Sequence, residues 1–306
     1  YDLILMAGLF CLAYELDNPT WLYRGLAAGL GVSSVICVIQ WLGYFPVIMV
    51  MPSGVEQTPS GLFVNPSLLG EATAPVAILL LARREWLWAA MVLPALGLSH
   101  NRAGLAAFGL CMLVLAWRWN SRLVWLCLAA LYVPVMYIAA TKGMHGWDSI
   151  PQRLAMWHSV WDGLTLWGWG IGQFYVDFPL HSQVFDAEPQ GLTWVLTAHA
   201  HSDALEYVFE LGLPGAALMG AIVCAIWWPA LFAERLALLA MGLTALVGFP
   251  LHEPFTAGLA GLLAGVAARG GRVVGGDELH SRWTVHRGRR HHEYGADAAG
   301  RGVVPV

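Results

Sequence analysis

An all-α polytopic membrane protein is the fold class this sequence predicts, and three observations predict it. Of its 306 residues, 58% are hydrophobic and 12% charged, whereas soluble domains are about 45–50% apolar and about 25% charged. Apolar runs long enough for membrane helices recur along the chain, separated by short polar segments. When those runs are threaded alternately through a bilayer, most basic residues fall on one side. A soluble globular enzyme is excluded by composition. The net charge of -4 says little, because the distribution of charge carries the information; no nucleic-acid partner is expected. Cys11, Cys37, Cys111, Cys127 and Cys224 all lie inside apolar runs, where they read as small packing residues and not as a disulfide framework.

Nine candidate spans follow in order, at about 2–15, 24–43, 64–82, 85–99, 103–117, 122–140, 204–228, 235–251 and 254–268. The fourth and fifth are shorter than the ~20 residues a straight crossing needs. A re-entrant hairpin is the alternative for that pair, and it leaves the parity of the topology unchanged. The chain opens at Tyr1 within an apolar run, with no initiator Met or basic leader, so further helices are expected to precede it.

Orientation comes from the arginines. With residues 269–306 placed in the cytoplasm, Arg24, Arg83, Arg84, Arg118, Arg122, Arg235 and the seven tail arginines lie inside. Only Arg102, Lys142 and Arg153 remain outside, as the positive-inside rule requires. The tail is rich in Arg, Gly and His and reads as a disordered, solvated segment. Residues 1–268 are then the membrane domain.

The outside face receives a large loop of about residues 141–203, too long for a plain connection. Pro151 marks a helix start within it. Ile150, Leu154, Trp157, Trp161 and Leu164 follow at helical spacing, a stripe suited to a helix lying in the headgroup layer. The segment LWGWGIGQF after it, with Gly170 and Gly172, reads as a tight loop anchored by Trp167 and Trp169.

The stretch HAHSDALEYVFELGLPG, from His199 to Gly215, carries the candidate chemistry. Ser202 is placed to cap a helix, with Asp203, Tyr207 and Glu210 forming a polar stripe along it. From Asp203 to Trp228 that helix would be roughly 38 Å long at 1.5 Å per residue, more than a hydrocarbon core of ~30 Å. Its histidine end should stand outside the membrane, and Pro214 with its flanking glycines should kink it near the boundary. On the same outside face, Asn101 is a plausible helix cap that sets Arg102 beside free backbone N–H groups, an anion site. Arg153 sits at headgroup level in the first turn of the interfacial helix. Taken alone, each has a plain structural reading: His201 as an interfacial histidine, Arg153 as a snorkelling side chain and Arg102 as a lipid-facing cap. His199 and His252 with Glu253 share the face, but HxH plus a distant histidine is a weak metal pattern. No metal and no cofactor are expected.

His201–Ser202, nine residues, Gly212, two residues and Gly215 together resemble the signature of the O-antigen ligase and O-antigen polymerase family. GLFVNPSLLGE (61–71), SHNRAGL (99–105) and RLAMWHSVWDGLTLWGWGIGQF (153–174) are similar to the family's other motifs and occur in its usual order. The pattern departs at Ser67, where many members carry Asn. The resemblance implies a C-type glycosyltransferase-like fold of about a dozen helices and an active face in the periplasm of a bacterial inner membrane. It further implies transfer of a glycan from undecaprenyl diphosphate without metal. It assigns His201 as the catalytic histidine and Arg102 and Arg153 as holders of the donor diphosphate, supported by His199, Ser202, Glu210, Trp157, Gly170 and Gly172. The acceptor most in keeping with the family is lipid A-core, with a second lipid-linked repeat or a protein hydroxyl as alternatives; membrane lipids are the other partners. A transporter is the competing class, and the lack of an internal repeat or of an ionisable cluster in mid-membrane counts against it.

Overall fold

The computed structural model describes residues 2–44, 58–63, 65–120, 122–125, 128, 149–181 and 199–270. Within them the chain is helical, with no strand. The helices are α1 (Asp2–Glu15), α2 (Thr20–Trp41), α3 (Pro66–Ala82), α4 (Trp86–Leu98), α5 (Arg102–Trp119), α6 (Ser149–Asp162), α7 (Phe174–His181), α8 (Asp203–Trp227) and α9 (Phe232–Val247). A 3-10 turn, Pro250–His252, leads into α10 at 254–270. Among the described residues three helices, α2, α5 and α8, are long and apolar enough to cross a membrane, and α3 and α4 are shorter apolar helices. Eight of the nine expected spans coincide with helices to within a few residues. Most of the span expected at 122–140, the beginning and residues 182–198 of the expected outside loop, and the tail beyond 270 lie outside the described residues.

The bundle is built around α3. Its sequence is apolar on every side, which suits a helix enclosed by others, and every residue from Leu68 to Leu81 is buried. Asn65 caps it, accepting from the Ser67 N–H at 2.8 Å, and Pro66 takes a first-turn position where no N–H is needed. Helices α4, α5 and α9 pack around it. Gly70 and Gly104 let α3 and α5 touch backbone to backbone, since a Cβ on Gly104 would lie 2.6 Å from the Gly70 carbonyl oxygen. Small residues make the same kind of crossing between α10 and α1, where Gly261 and Gly265 face the Met6 and Phe10 carbonyls. Between α2 and α4, the Ser34 hydroxyl donates to the Val92 carbonyl and accepts from the Ala95 N–H, both at 3.2 Å. It thereby supplies polar contacts beside Pro94, which interrupts α4's own ladder.

Charged groups divide between two ends. At one, Glu234 is buried and accepts from Arg83 at 3.2 Å and from the Tyr23 hydroxyl at 2.8 Å, with the Arg83 guanidinium over the Tyr23 ring. Arg24 pairs with Glu85 at the same end. Removing the cation would strand a buried carboxylate. Arg83→Ala should therefore cost about 3 kcal/mol, measured as a lowered Tm of the detergent-purified protein, while Arg24→Ala at its more exposed pair should cost far less. Asn65, Asn101, Arg102, Arg153 and the start of α8 lie at the other end.

Helix α6 packs Met156, Ser159 and Val160 inward, with Leu154 and Trp161 exposed. The expected aromatic stripe is thus largely the outward face, and the packed face runs beside it. Met156 and Val160 join Phe174, Phe178, Ala200 and Phe209 in a second, smaller core that seats α6 and α7 on α8.

Candidate active site

The sequence after α6 has glycines where its backbone takes left-handed conformations: Gly168 (φ 75), Gly170 (φ 112) and Gly172 (φ 76). They allow the loop to run directly against α8 where that helix breaks. The break is at Gly212 (φ 67, ψ -170), two residues before Pro214, whose ring cannot accept continuation of the preceding ladder. The loop takes over the interrupted bonds. Trp169 N–H donates to the Phe209 carbonyl at 3.1 Å and Gly170 N–H to the Glu210 carbonyl at 2.8 Å, while Leu213 N–H donates back to Leu166 at 3.0 Å. Gly168 and Gly212 pass each other with no room for a Cβ on either. The segment expected as a tight loop is therefore the splint of the α8 kink. Glu210 extends the splint by accepting from the Phe174 N–H at 3.1 Å.

At the head of α8, Ser202 caps as expected, accepting from the Leu205 N–H at 3.4 Å. His201 precedes it with φ 49, a conformation uncommon outside glycine. His100 holds the same conformation (φ 52) before the Asn101 cap, which accepts from Gly104 N–H at 2.8 Å. Trp157 fixes the approach to α8 by donating its indole N–H to the Ala200 carbonyl at 2.9 Å.

The turn between α9 and α10 gathers the candidate residues. The His201 ring meets Phe249 edge-on, with centroids 5.2 Å apart. Arg153 donates to the Val247 carbonyl at 2.6 Å. Burial lowers the His201 pKa, and the neighbouring Arg153 and His199 add to this. The imidazole is therefore held neutral and able to accept a proton. For Arg153, burial works against the cation, Glu71 supports it and Arg102 opposes it. His201, Arg153 and Arg102 are thus electrostatically linked at one end of the bundle. Arg102 itself is exposed, at the first position of α5.

Four acidic or imidazole groups complete the site without having been singled out as its members. Glu71 is buried in α3, and its carboxylate lies against Gly248; its marks in the sequence were its charge within an apolar run and its place at the end of the 61–71 stretch. Asp203 accepts from His252 at 2.6 Å and from the Leu251 N–H at 2.9 Å. Glu206 accepts from the Ala200 N–H at 2.8 Å and meets His199 Nδ1 at 3.1 Å. Its sequence signal was an acid in the first helical turn, reaching back to the segment that precedes the cap. His252 stacks on Tyr207; burial alone would lower its pKa, but the Asp203 hydrogen bond and the Glu206 charge outweigh this and raise it. Glu253, the expected companion of the histidines, is not among their close partners. His199 and His252 converge on Glu206 instead.

The described helices form an apolar bundle, with candidate membrane-crossing helices and with Arg102, Arg153 and His201 gathered at one end. Residues 87–220 match the family model described as O-antigen ligase. The match covers the central segment, somewhat under half of the chain. No curated protein matches the chain. Arg102, Arg153, His201 and the Gly212 kink fall inside the matched segment, whereas Glu71 and His252 lie outside it.

Proposed function

We propose that this protein transfers an oligo- or polysaccharide from undecaprenyl diphosphate to lipid A-core at the periplasmic face of the inner membrane. The observation that supports this most is the meeting of His201 and Arg153 at the Val247–Phe249 turn within the matched family segment. The acceptor hydroxyl attacks the anomeric carbon as His201 takes its proton, and the bond to the diphosphate oxygen breaks. Arg153 and Arg102 hold the phosphates and stabilise the charge that gathers there. Ser202, Glu210, Trp157 and the loop glycines keep His201 in place.

Reconstituted protein given a lipid-linked glycan with or without lipid A-core tests this. Glycan on lipid A-core is the expected product; longer lipid-linked chains without acceptor would reassign the protein as a polymerase. Arg153→Ala should weaken donor binding about tenfold or more, the loss of a charge-assisted contact. Arg153→Lys should recover only part of this because the fork geometry is lost. A lowered His201 pKa sets the sign of the pH dependence. With chelator present, kcat/KM should hold below the ordinary histidine value of about 6.5 before it falls as the ring protonates. A profile with its acid limb above that value would contradict His201 as the base.

A further inference from the structure

We propose that His199, Glu206 and His252 form a binding site for a divalent transition-metal ion of the zinc type, with Asp203 as the group that orients His252. His199 Nδ1 lies 3.1 Å from Glu206 Oε1 and His252 Nε2 lies 3.3 Å from that same oxygen. All three donor atoms fall within 4.8 Å of one another. Zinc bonds of about 2.0–2.1 Å at tetrahedral angles set ligand atoms about 3.3–3.4 Å apart, so the His252–Glu206 edge at 3.3 Å already has the required length and the His199–Glu206 edge at 3.1 Å is slightly short of it.

The surrounding bonds fix the donors. Asp203 Oδ1 accepts from His252 Nδ1 at 2.6 Å, the carboxylate–histidine arrangement that orients metal-bound imidazoles. It makes Nδ1 the N–H nitrogen and turns the Nε2 lone pair toward Glu206. The Ala200 N–H occupies Glu206 Oε2, leaving Oε1 to face both rings. His199 and His252 converge on this one oxygen; a proton on His252 bridges only the His252–Glu206 pair, whereas a divalent cation engages all three groups at once.

Asp203 and Glu206 are 1% and 2% exposed, and among the described residues neither has an Arg or Lys partner. Buried carboxylates of this kind call for compensating charge. The ion would tie the Pro250–His252 turn to the first turns of α8, directly behind the backbone that carries His201. His201 itself is not a ligand, and the site stands whether or not glycan transfer is observed.

The test uses the full-length protein in detergent, alongside a variant in which His280, His286, His291 and His292 are replaced by alanine to remove tail binding. Zinc is titrated calorimetrically and cobalt(II) by its visible absorption. One equivalent is expected in both proteins, with a four-coordinate cobalt spectrum. His199→Ala and Glu206→Gln should each abolish this binding, and Asp203→Asn should weaken it about 10–100-fold, as loss of an outer-shell partner does. Melting curves without metal identify any variant that fails to fold, and His199→Ala, on a half-buried side chain before the helix, is the ligand change least exposed to that failure. No stoichiometric binding, binding confined to the tail histidines, or binding unchanged in a folded His199→Ala protein would overturn the proposal.

Discussion

His201→Ala should reduce glycan transfer by about 10²–10⁴-fold, the range for loss of a positioned general base, while leaving donor binding close to that of the parent. The separation follows from the site. His201 meets Phe249 and is held neutral by burial and by Arg153, so under the proposed assignment it contributes proton acceptance and no attraction for phosphate, which Arg102 and Arg153 would supply. Transfer measured under donor saturation, together with equilibrium binding of an undecaprenyl diphosphate, reads the two quantities apart. Retained transfer would sink the catalytic assignment, and lost binding with intact turnover per bound donor would make His201 a recognition residue. Because the residue precedes the Ser202 cap and lies outside the helix, circular dichroism and Tm of the variant should change little: alanine removes a partly exposed ring and adds at most a small strain at the left-handed backbone.

Gly212→Val should be the most damaging single change to the architecture. The residue has φ 67, and its Cβ would run into the Leu166 carbonyl oxygen and the Trp167 backbone. Both obstacles are backbone, so no side chain can swing aside. A β-branched residue at positive φ adds its own strain. The combined cost is expected to reach about 3 kcal/mol or more, appearing as a large fall in Tm and loss of the purified protein. Gly220→Val, in open space farther along α8, is the matching control and should be tolerated. Equal loss from both substitutions would show that the Trp-Gly loop does not splint the kink.

The two glycine-rich stretches were legible in the sequence as a loop and a kink, but not as partners. Gly168 and Gly212 are far apart along the chain, and the pattern of each is fully explained by local backbone needs. Caps were read correctly at Asn101 and Ser202, because a cap depends on a side chain and the N–H two or three residues on. The helix expected at 204–228 begins and ends within a residue of α8. Pairings across the bundle were not legible. His252 and Asp203 stand 49 residues apart, and nothing in the spacing of either marks that match. The aromatic stripe on α6 was expected to lie in the headgroup layer, and Leu154 and Trp161 are exposed; the packed face formed by Met156 and Val160 had no such signal, because large apolar side chains already marked the other face.

Three caps, Asn65, Asn101 and Ser202, lie at one end of the molecule, and α3 and α5 touch there through the Asn101 amide, which donates to the Ser67 carbonyl. Helices α3, α5 and α8 therefore all point their amino ends the same way. Each such end carries roughly half a positive elementary charge from its aligned peptide dipoles. Polarity of this kind belongs to the order in which the chain is threaded and not to any side chain, so it would survive substitution of every arginine at that end. A weak preference for negatively charged headgroups over neutral ones should thus persist in an Arg102→Ala, Arg153→Ala double variant, fading as salt is raised.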